Sequence, residues 1–186
     1  MTKEYQNITR KFVDGFEKFY TDLLAPYKDK EFNFLEIGVA EGGSLLFFQD
    51  LLPKAKIYGI DYIPCLTNAL GGTDITTYVM NQNDTESLQK LATDIKFDII
   101  IDDGAHLTAE TQNTFDSLWS LLNPGGLYII EDWAVCYHES FIAPNTIGMH
   151  DLVFDIAHKK NELGIAEFNI VVEENWCSHA TYKKNK

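Results

Sequence analysis

The sequence has little positive charge and no long apolar run. Arg10 is the only arginine among 186 residues, and the formal net charge is −13. Binding to a phosphate backbone needs clustered lysine and arginine, and the only such cluster is the weak one at residues 183–186. A nucleic-acid partner is therefore not expected. No apolar stretch approaches the ~18 residues of a membrane-spanning helix, so no membrane partner is predicted either.

Cysteine is scarce as well. The three cysteines, Cys65, Cys136 and Cys177, lie far apart and lack the spacing of metal ligands, which is typical of buried, reduced thiols in a cytoplasmic protein. Residues 1–6 contain no apolar core of a signal peptide, so export is not expected. Apolar residues, by contrast, make up 45% of the chain, which is enough for one core. We therefore predict a single cytoplasmic domain over residues 1–186.

Short apolar runs alternate with helical patterns along most of the chain. The strand-like runs lie at residues 32–39, 56–62, 76–80, 97–102 and 127–131. The helical patterns lie at residues 5–25, 44–52, 85–93, 108–122 and 149–161. Such alternation predicts a doubly wound α/β fold, a mostly parallel sheet with helices on both faces. Residues 1–30 would add a helical extension, and segments 167–173 and 177–183 an antiparallel hairpin at the edge of a seven-stranded sheet.

Acidic residues stand at the ends of the fourth and fifth predicted strands. Asp103 follows one strand, and Glu131 and Asp132 end the other. If these strands are parallel neighbours, their carboxyl ends lie about 5 Å apart. Like charges at that distance repel unless a proton or a cation lies between them. The pattern therefore predicts a hard divalent metal ion, with His106 beside it.

A turn rich in small residues follows the first predicted strand, within residues 34–44 (FLEIGVAEGGS). In open α/β sheets the first such turn forms the floor of the ligand site. Gly38 and Gly42 allow the backbone to approach a ligand closely. Ala40 stands where the dinucleotide fingerprint has its second glycine, and Glu36 suits a ligand with an ammonium group better than a pyrophosphate.

The next two strands end in groups that suit a ribose and an adenine. Asp61 ends the second strand about 20 residues after the turn, where an acid can accept both ribose hydroxyls. Residues 81–84 offer amides and a carboxylate at the distance of an adenine ring. Together these groups favour an adenosine ligand without phosphates, and S-adenosylmethionine fits. The alternative is an α/β domain with an ordinary tight turn and no nucleotide.

These motifs resemble those of class I S-adenosylmethionine-dependent methyltransferases, in particular the metal-dependent O-methyltransferases of macrolide sugars, of the macrocin and mycinamicin type. Residues 35–45 resemble the cofactor loop. Residues 102–106 and 129–132 resemble the metal and base motif, with the same spacing between its halves. The resemblance covers residues 32–133 well. The sequence departs from the family at Ala105, where a serine is usual, and at Asn81, where an aspartate is common.

The resemblance implies a Rossmann-like methyltransferase fold and assigns roles to the matching positions. His106 would be the general base, and Asp103, Glu131 and Asp132 the Mg²⁺ ligands. The cofactor contacts would come from Glu36, Gly38, Gly42, Ser44, Asp61, Gln82, Asp84 and Asp102. The expected reaction moves a methyl group from S-adenosylmethionine to a hydroxyl of a small-molecule sugar, glycoside or polyol. Mg²⁺ would orient the acceptor, and His106 would take its proton.

Other parts of the chain carry weaker expectations. Residues 134–150 would form much of the acceptor pocket. Trp133 and Tyr137 are expected to pack against this loop rather than to stack on a sugar. The four histidines other than His106 are expected to be on the surface or partly buried. The sequence leaves open whether the protein forms a homo-oligomer.

Three alternative functions stay open at this point. A metal-dependent O-methyltransferase of catechols or phenols would use the same carboxylates with a lysine as base, but no lysine lies near either strand end after residue 96. A catalytically silent module that binds S-adenosylmethionine is the second, and the complete set of carboxylates with His106 argues against it. An α/β enzyme that uses the metal motif for hydroxylation or hydrolysis is the third.

Overall fold

The computed structural model describes residues 9, 11, 15–65, 70–137, 148–172 and 178–186. In these residues the helices are α1 (Phe16–Leu24), α2 (Gly43–Leu51), α3 (Thr85–Asp94), α4 (Thr108–Leu118), α5 (Met149–His158) and α6 (Lys160–Leu163). The strands are β1 (Asn33–Ile37), β2 (Lys56–Asp61), β3 (Thr76–Val79), β4 (Ile99–Asp102), β5 (Leu127–Glu131), β6 (Ile165–Val172) and β7 (Ser178–Lys184). Short 3₁₀ turns lie at Ala25–Tyr27, Trp119–Leu121 and Trp133–Tyr137.

The strands of the described residues form one seven-stranded sheet in the order β3-β2-β1-β4-β5-β7-β6. Strands β1 to β5 pair in parallel, and β7 runs antiparallel to both β5 and β6. The chain passes outward from β1 to β2 and β3, then crosses back to β4 on the other side of β1. Strand order therefore reverses between β1 and β4, where open α/β sheets bind ligands. The predicted fold class, including the antiparallel hairpin at the edge, is confirmed.

Apolar side chains cover both faces of the sheet, because successive residues of a strand point to opposite faces. On one face, Leu35 and Ile100 belong to a cluster with side chains of α3, α4 and α5. On the other face, Phe34 and Ile99 belong to a cluster with side chains of α1 and α2. Strands β4 and β5 are buried at every residue. Their uninterrupted apolar sequences follow from this burial on both sides.

The N-terminal helix begins later than the sequence pattern predicted. Of the residues before Phe16, the structure describes Thr9, Lys11 and Gly15, and none of them is helical. Gly15 precedes α1 with a left-handed φ of 91°, a conformation that starts the helix there and that glycine adopts at little cost. The remaining positions of the predicted helix lie outside the described residues.

The C-terminal elements follow the prediction with shifted ends. The predicted helix over 149–161 divides into α5 and α6, and Gly164 ends α6 with a left-handed φ of 65°. Of the predicted acceptor loop, residues 138–147 lie outside the described part of the chain, while residues 134–137 belong to a 3₁₀ turn. Cys65 is half-buried. Within the described residues, no helix has both the length and the apolar character needed to cross a membrane.

Candidate active site

The register of the parallel strands brings the predicted acids to one edge of the sheet. Asp102 of β4 pairs with Ile130 of β5, so Asp103 and Glu131 follow side by side. The backbone N–H of Asp103 donates to the carbonyl of Ile37 at 2.9 Å, which fixes the end of β4 against the end of β1. Glu36, from β1, completes an acidic group in which ligand oxygens of Glu36, Asp103 and Glu131 lie within 4.8 Å of one another.

A lysine from the N-terminal segment lies in the middle of these three carboxylates. Nζ of Lys11 lies 2.6 Å from Oε1 of Glu131, 2.9 Å from Oδ2 of Asp103 and 3.4 Å from Oε1 of Glu36. Lys11 is only 4% exposed. The hydroxyl of Tyr20, on α1, also donates to Oε1 of Glu131. No pattern in the sequence indicated Lys11, because a single lysine ahead of the first strand belongs to no recognisable motif.

Burial and charge act in opposite directions on this group. Burial alone would lower the pKa of Lys11, but the carboxylates of Asp103, Glu131 and Glu36 outweigh it and raise that pKa well above its usual range. Burial raises the pKa of Glu36 to about 7, although Lys11 opposes the shift. Burial likewise raises the pKa of Glu131. One ammonium group therefore does not balance three carboxylates.

His106 and Asp132 lie on the other side of Asp103. Nε2 of His106 is 3.7 Å from Oδ1 of Asp103 and 3.8 Å from Oδ2 of Asp132. These three side chains form a second group of ligand atoms within 4.8 Å, and all three are partly exposed. Asp103 thus joins the two groups, with Oδ2 toward Lys11 and Oδ1 toward His106.

The structure divides the three predicted metal ligands between the two groups. Asp103 lies close to both partners, but Glu131 faces Lys11 and Tyr20, while Asp132 faces His106. Glu131 is the last residue of β5, whereas Asp132 follows the strand with a left-handed φ of 53°, and the two side chains point to different sides. No group of three ligands within 4.8 Å contains Asp103, Glu131 and Asp132 together in the described part of the chain. Their role as one set of Mg²⁺ ligands stays a prediction.

An open cavity of about 230 Å³ lies beside the acids, at the ends of β1, β2 and β3. Three of the predicted cofactor residues line it: Gly38, Asp61 and Gln82. Further lining residues that the sequence analysis did not single out include Tyr62 and Glu110. Hydrogen bonds from the backbone N–H groups of the turn and of the β2 loop hold the carboxylate of Asp61 in place, at 2.9 and 3.2 Å.

Gly38 is the tightest point between the cavity and the acids. Its φ is +84°, and a Cβ added there would lie 2.1 Å from the carbonyl oxygen of Asp103. Only glycine fits a position where two loops cross at this distance. The same loop is held from the β3 side, because Oε1 of Gln82 accepts from the backbone N–H of Ala105 at 2.8 Å.

The other predicted cofactor residues have structural partners instead of lining the cavity. Ser44 donates to Oε2 of buried Glu36 at 2.6 Å. Gly42, with a φ of 81°, precedes α2. Asp84 is exposed and caps α3 by accepting from the backbone N–H of Ser87 at 3.1 Å. Their predicted roles in binding the cofactor are untested.

Asp102 is buried beneath the loop that follows β4. It accepts from the backbone N–H of Gly104 and from the hydroxyl of Tyr128, each at 3.3 Å. Burial raises the pKa of Asp102 to about 7. Its carboxylate therefore supports the loop that carries Asp103 and His106.

The aromatic residues after β5 differ in exposure. Trp133 is 3% exposed and packs edge-on against Phe154 of α5, while most of the loop that it was expected to pack against lies outside the described residues. Tyr137 is 62% exposed. The expectation of surface histidines is wrong for His179, which is 2% exposed and stacks on Phe19. His179 is buried because β7 lies inside the sheet, between β5 and β6.

Known proteins resemble this chain in sequence. The model of a family described as "Methyltransferase domain" matches residues 28–184. The mycinamicin VI 2''-O-methyltransferase of Micromonospora griseorubida is 34% identical over 138 residues, which cover 70% of this chain and 34% of that protein. The demethylmacrocin O-methyltransferase of Streptomyces fradiae is 35% identical over 145 residues, or 74% and 36%. The chain thus spans about a third of the length of these curated relatives.

Solved structures show the same fold. The MycE methyltransferase of the mycinamycin pathway, in complex with Mg and SAH (S-adenosylhomocysteine), superposes with a TM-score of 0.77 at 29% identity over 97% of this chain and 53% of that chain. A putative caffeoyl-CoA O-methyltransferase from Staphylococcus aureus, 18% identical, shares the fold with a TM-score of 0.72, over 99% of this chain and 93% of that one. The resemblance to macrocin- and mycinamicin-type enzymes is confirmed, and the chain belongs to the methyltransferase domain family.

Proposed function

We propose that this chain transfers a methyl group from S-adenosylmethionine to a hydroxyl of a sugar, glycoside or polyol, with the help of Mg²⁺. The observation that carries the proposal is the position of Asp103, His106 and Asp132, which form one group at the sheet edge next to the cavity lined by Gly38 and Asp61. The names of the relatives support it, since all three describe O-methyltransferases and one of them names a rhamnosyl tetracenomycin.

The side chains at the site fit a magnesium ion. Carboxylate oxygens are the ligands that Mg²⁺ prefers, and Asp103, Glu131 and Asp132 would supply them. The carboxyl groups of Glu36, Asp103 and Glu131 surround the single ammonium group of Lys11, so acidic side chains outnumber basic ones at this place. A cation at this place would therefore be stabilised.

The cofactor would lie in the cavity, with its ribose hydroxyls on Asp61. Its methionine end would reach the acids past Gly38, where the absence of a side chain leaves the backbone accessible. The adenine would lie toward Gln82, which lines the β3 side of the cavity. This arrangement would put the sulfonium near the group that contains His106.

In the reaction, the acceptor oxygen forms a bond to the methyl carbon as the bond from sulfur to that carbon breaks, and S-adenosylhomocysteine leaves. His106 accepts the hydroxyl proton at Nε2, and Asp103 and Asp132 stabilise the imidazolium that results. Proton transfer to such a base contributes typically ~10²- to 10⁴-fold. A bound Mg²⁺ would supply charge that favours the deprotonated acceptor and orients it.

The catechol alternative needs a lysine as base, and the structure supplies one that the sequence argument had not considered. Lys11 lies at the ends of β4 and β5. Its three carboxylate neighbours hold its pKa well above the usual range, so the amine stays charged at neutral pH and cannot accept a proton. His106 remains the better base, and the sugar hypothesis stays preferred.

A screen of acceptors tests the proposal. Sugars, glycosides, polyols and catechols would each be incubated with methyl-labelled S-adenosylmethionine, with Mg²⁺ and with a chelator. We expect labelled product from a sugar or polyol, and only with the metal. Product from catechols alone would favour the alternative enzyme. Binding of the cofactor without any product would favour a silent module, and no binding would favour hydroxylation or hydrolysis.

Three further expectations from the sequence remain predictions. They are a single domain over residues 1–186, an acceptor pocket formed largely by residues 134–150, and a cytoplasmic location. The sequence leaves the oligomeric state open, and size-exclusion chromatography with light scattering measures that state directly.

A further inference from the structure

We infer that Lys11 is a built-in cation of the active site, which a divalent metal ion displaces when it binds. The inference rests on the metal dependence in the proposed function, and it assigns a role to a residue outside the metal and cofactor motifs. Lys11 would hold the acidic side chains together in the metal-free protein and would set how tightly the protein binds the metal.

The contacts of Lys11 support this role. Its Nζ donates to Glu131 at 2.6 Å and to Asp103 at 2.9 Å, and these are two of the three predicted metal ligands. Nζ also lies 5.5 to 5.8 Å from the ring centres of Phe16, Tyr20 and Phe48. Rings at this distance attract a cation through their faces, so the pocket for the ammonium group is formed in part by α1 and α2.

The charge balance favours exchange over coexistence. The group around Lys11 contains three carboxyl groups and one ammonium. With all three carboxyl groups ionised, replacing a single positive charge by a double one brings the group closer to neutrality. A metal bound to the same oxygens of Asp103 and Glu131 would share them with a second cation, and two buried cations this close repel each other. The metal therefore takes these two ligands only when Lys11 gives them up.

There is one arrangement in which Lys11 would stay in place. A metal held by Asp103 and Asp132 on the side of His106 would face Oδ1 of Asp103 and leave Oδ2 and Glu131 to Lys11. In that arrangement Glu131 would not be a ligand. The nearby ammonium would weaken metal binding only slightly, because the group is partly exposed to solvent. The two arrangements make different predictions for a variant that lacks the lysine charge.

Isothermal titration calorimetry with MgCl₂ or MnCl₂, without cofactor, tests the inference. The wild type, Lys11→Met and Lys18→Met would be compared. Methionine retains an unbranched apolar chain but not the charge. We expect Lys11→Met to bind the metal about 10-fold more tightly, since each ~1.4 kcal/mol of competition that the variant removes is worth tenfold in affinity. Lys18 is an exposed lysine of α1 paired with Asp22, so Lys18→Met should bind like the wild type. Unchanged or weaker binding by Lys11→Met overturns the inference.

A second measurement applies if Lys11→Met is unstable without metal, as three unbalanced carboxylates predict. Thermal unfolding with increasing MgCl₂ should then raise the Tm of Lys11→Met more than that of the wild type or of Lys18→Met. An equal or smaller rise, or a variant that no concentration of Mg²⁺ restores, overturns the inference.

Titration with S-adenosylhomocysteine alone separates the metal from the ammonium group of the cofactor. If Lys11→Met strengthens binding of this compound but not of the metal, Lys11 marks the place of the cofactor ammonium, and the exchange with a metal is refuted. None of these readouts needs methyl transfer. Tighter metal binding by a protein that transfers no methyl group would leave the inference standing and refute the proposed function.

Discussion

Backbone strain at single residues is concentrated at the candidate site. Among the described residues, the non-glycine residues with positive φ are Ala40 at 43°, His106 at 52° and Asp132 at 53°. They follow β1, β4 and β5 respectively, at the same edge of the sheet. Such conformations cost of order 1–3 kcal/mol each and persist where the surroundings over-determine them. At His106 and Asp132, the conformation leaves both side chains facing each other across Asp103.

Replacing His106 with alanine tests its role as the base. We expect turnover to fall by about 10²- to 10⁴-fold, the usual contribution of a general base, while calorimetry shows unchanged binding of S-adenosylmethionine. His158→Ala, at an exposed position near the end of α5, is the matched control and should keep full turnover. Undiminished turnover of His106→Ala would remove this residue from the mechanism.

At the scale of elements, the turn after β1 and the loop after β4 form the boundary between the cavity and the acids. They cross at Gly38, whose missing side chain lets the carbonyl of Asp103 approach. Hydrogen bonds between Ile37 and Asp103 and between Gln82 and Ala105 hold the β4 loop from the end of β1 and from the segment after β3. The positions of Asp103 and His106 therefore depend on β1 and β3 as much as on β4.

Gly38→Ala tests this close approach. The added Cβ would overlap the carbonyl of Asp103, so we expect the free energy of unfolding to fall by more than ~3 kcal/mol, as for other severe core clashes. Gly72→Ala is the control, because Gly72 has a similar φ of +83° but no atom within 4 Å of an added Cβ. Its cost is the backbone strain alone, about 1–2 kcal/mol. Urea unfolding measures both, and equal losses would refute the steric argument.

At the scale of the whole molecule, both ends of the chain support the end of β5. From the N-terminal side, Tyr20 and Lys11 donate to Glu131. From the C-terminal side, the carbonyl of Ser178 accepts from the backbone N–H of Asp132 at 2.7 Å. His179 lies opposite Glu131 in the sheet and stacks on Phe19 of α1, with ring centres 3.4 Å apart. The acids of β5 are thus fixed by segments far apart in sequence.

The burial of His179 predicts a loss of stability in acid. Burial lowers its pKa to about 4, against the usual value near 6.5. As pH falls below about 6.5, the unfolded chain takes up a proton that the folded protein does not take up until about pH 4. Between pH 7 and 5 this residue alone removes about 2 kcal/mol from the free energy of unfolding.

Urea unfolding at both pH values checks this prediction. His179→Phe keeps an aromatic ring against Phe19 but cannot be protonated, so it should lose about 2 kcal/mol less than the wild type between pH 7 and 5. His158→Ala, an exposed histidine, should behave like the wild type. If the wild type and His179→Phe lose the same amount, the folded protein protonates His179 at its usual pH, and the prediction fails.

The fold class, the ligand edge of the sheet and the site residues that follow strands could all be predicted from the amino-acid pattern. Buried parallel strands need continuous apolar runs, and a close turn needs glycine. Acids at strand ends can be recognised in the sequence because they interrupt an apolar run. These are local requirements, so they can be recognised one segment at a time. The positions of Gly38, Asp61, Asp103, His106 and Asp132 at one edge followed from them.

How those side chains pair depends on the packing of distant segments. The sequence pattern treated Glu131 and Asp132 as one unit, but Glu131 ends β5 and Asp132 follows it with a left-handed φ, so the two lie on opposite sides of Asp103. It gave no sign that Lys11 would lie among the carboxylates or that His179 would be buried, because both depend on contacts between distant segments. Pairing of buried charges is set by which groups are brought within a few ångströms, and chain packing alone determines that.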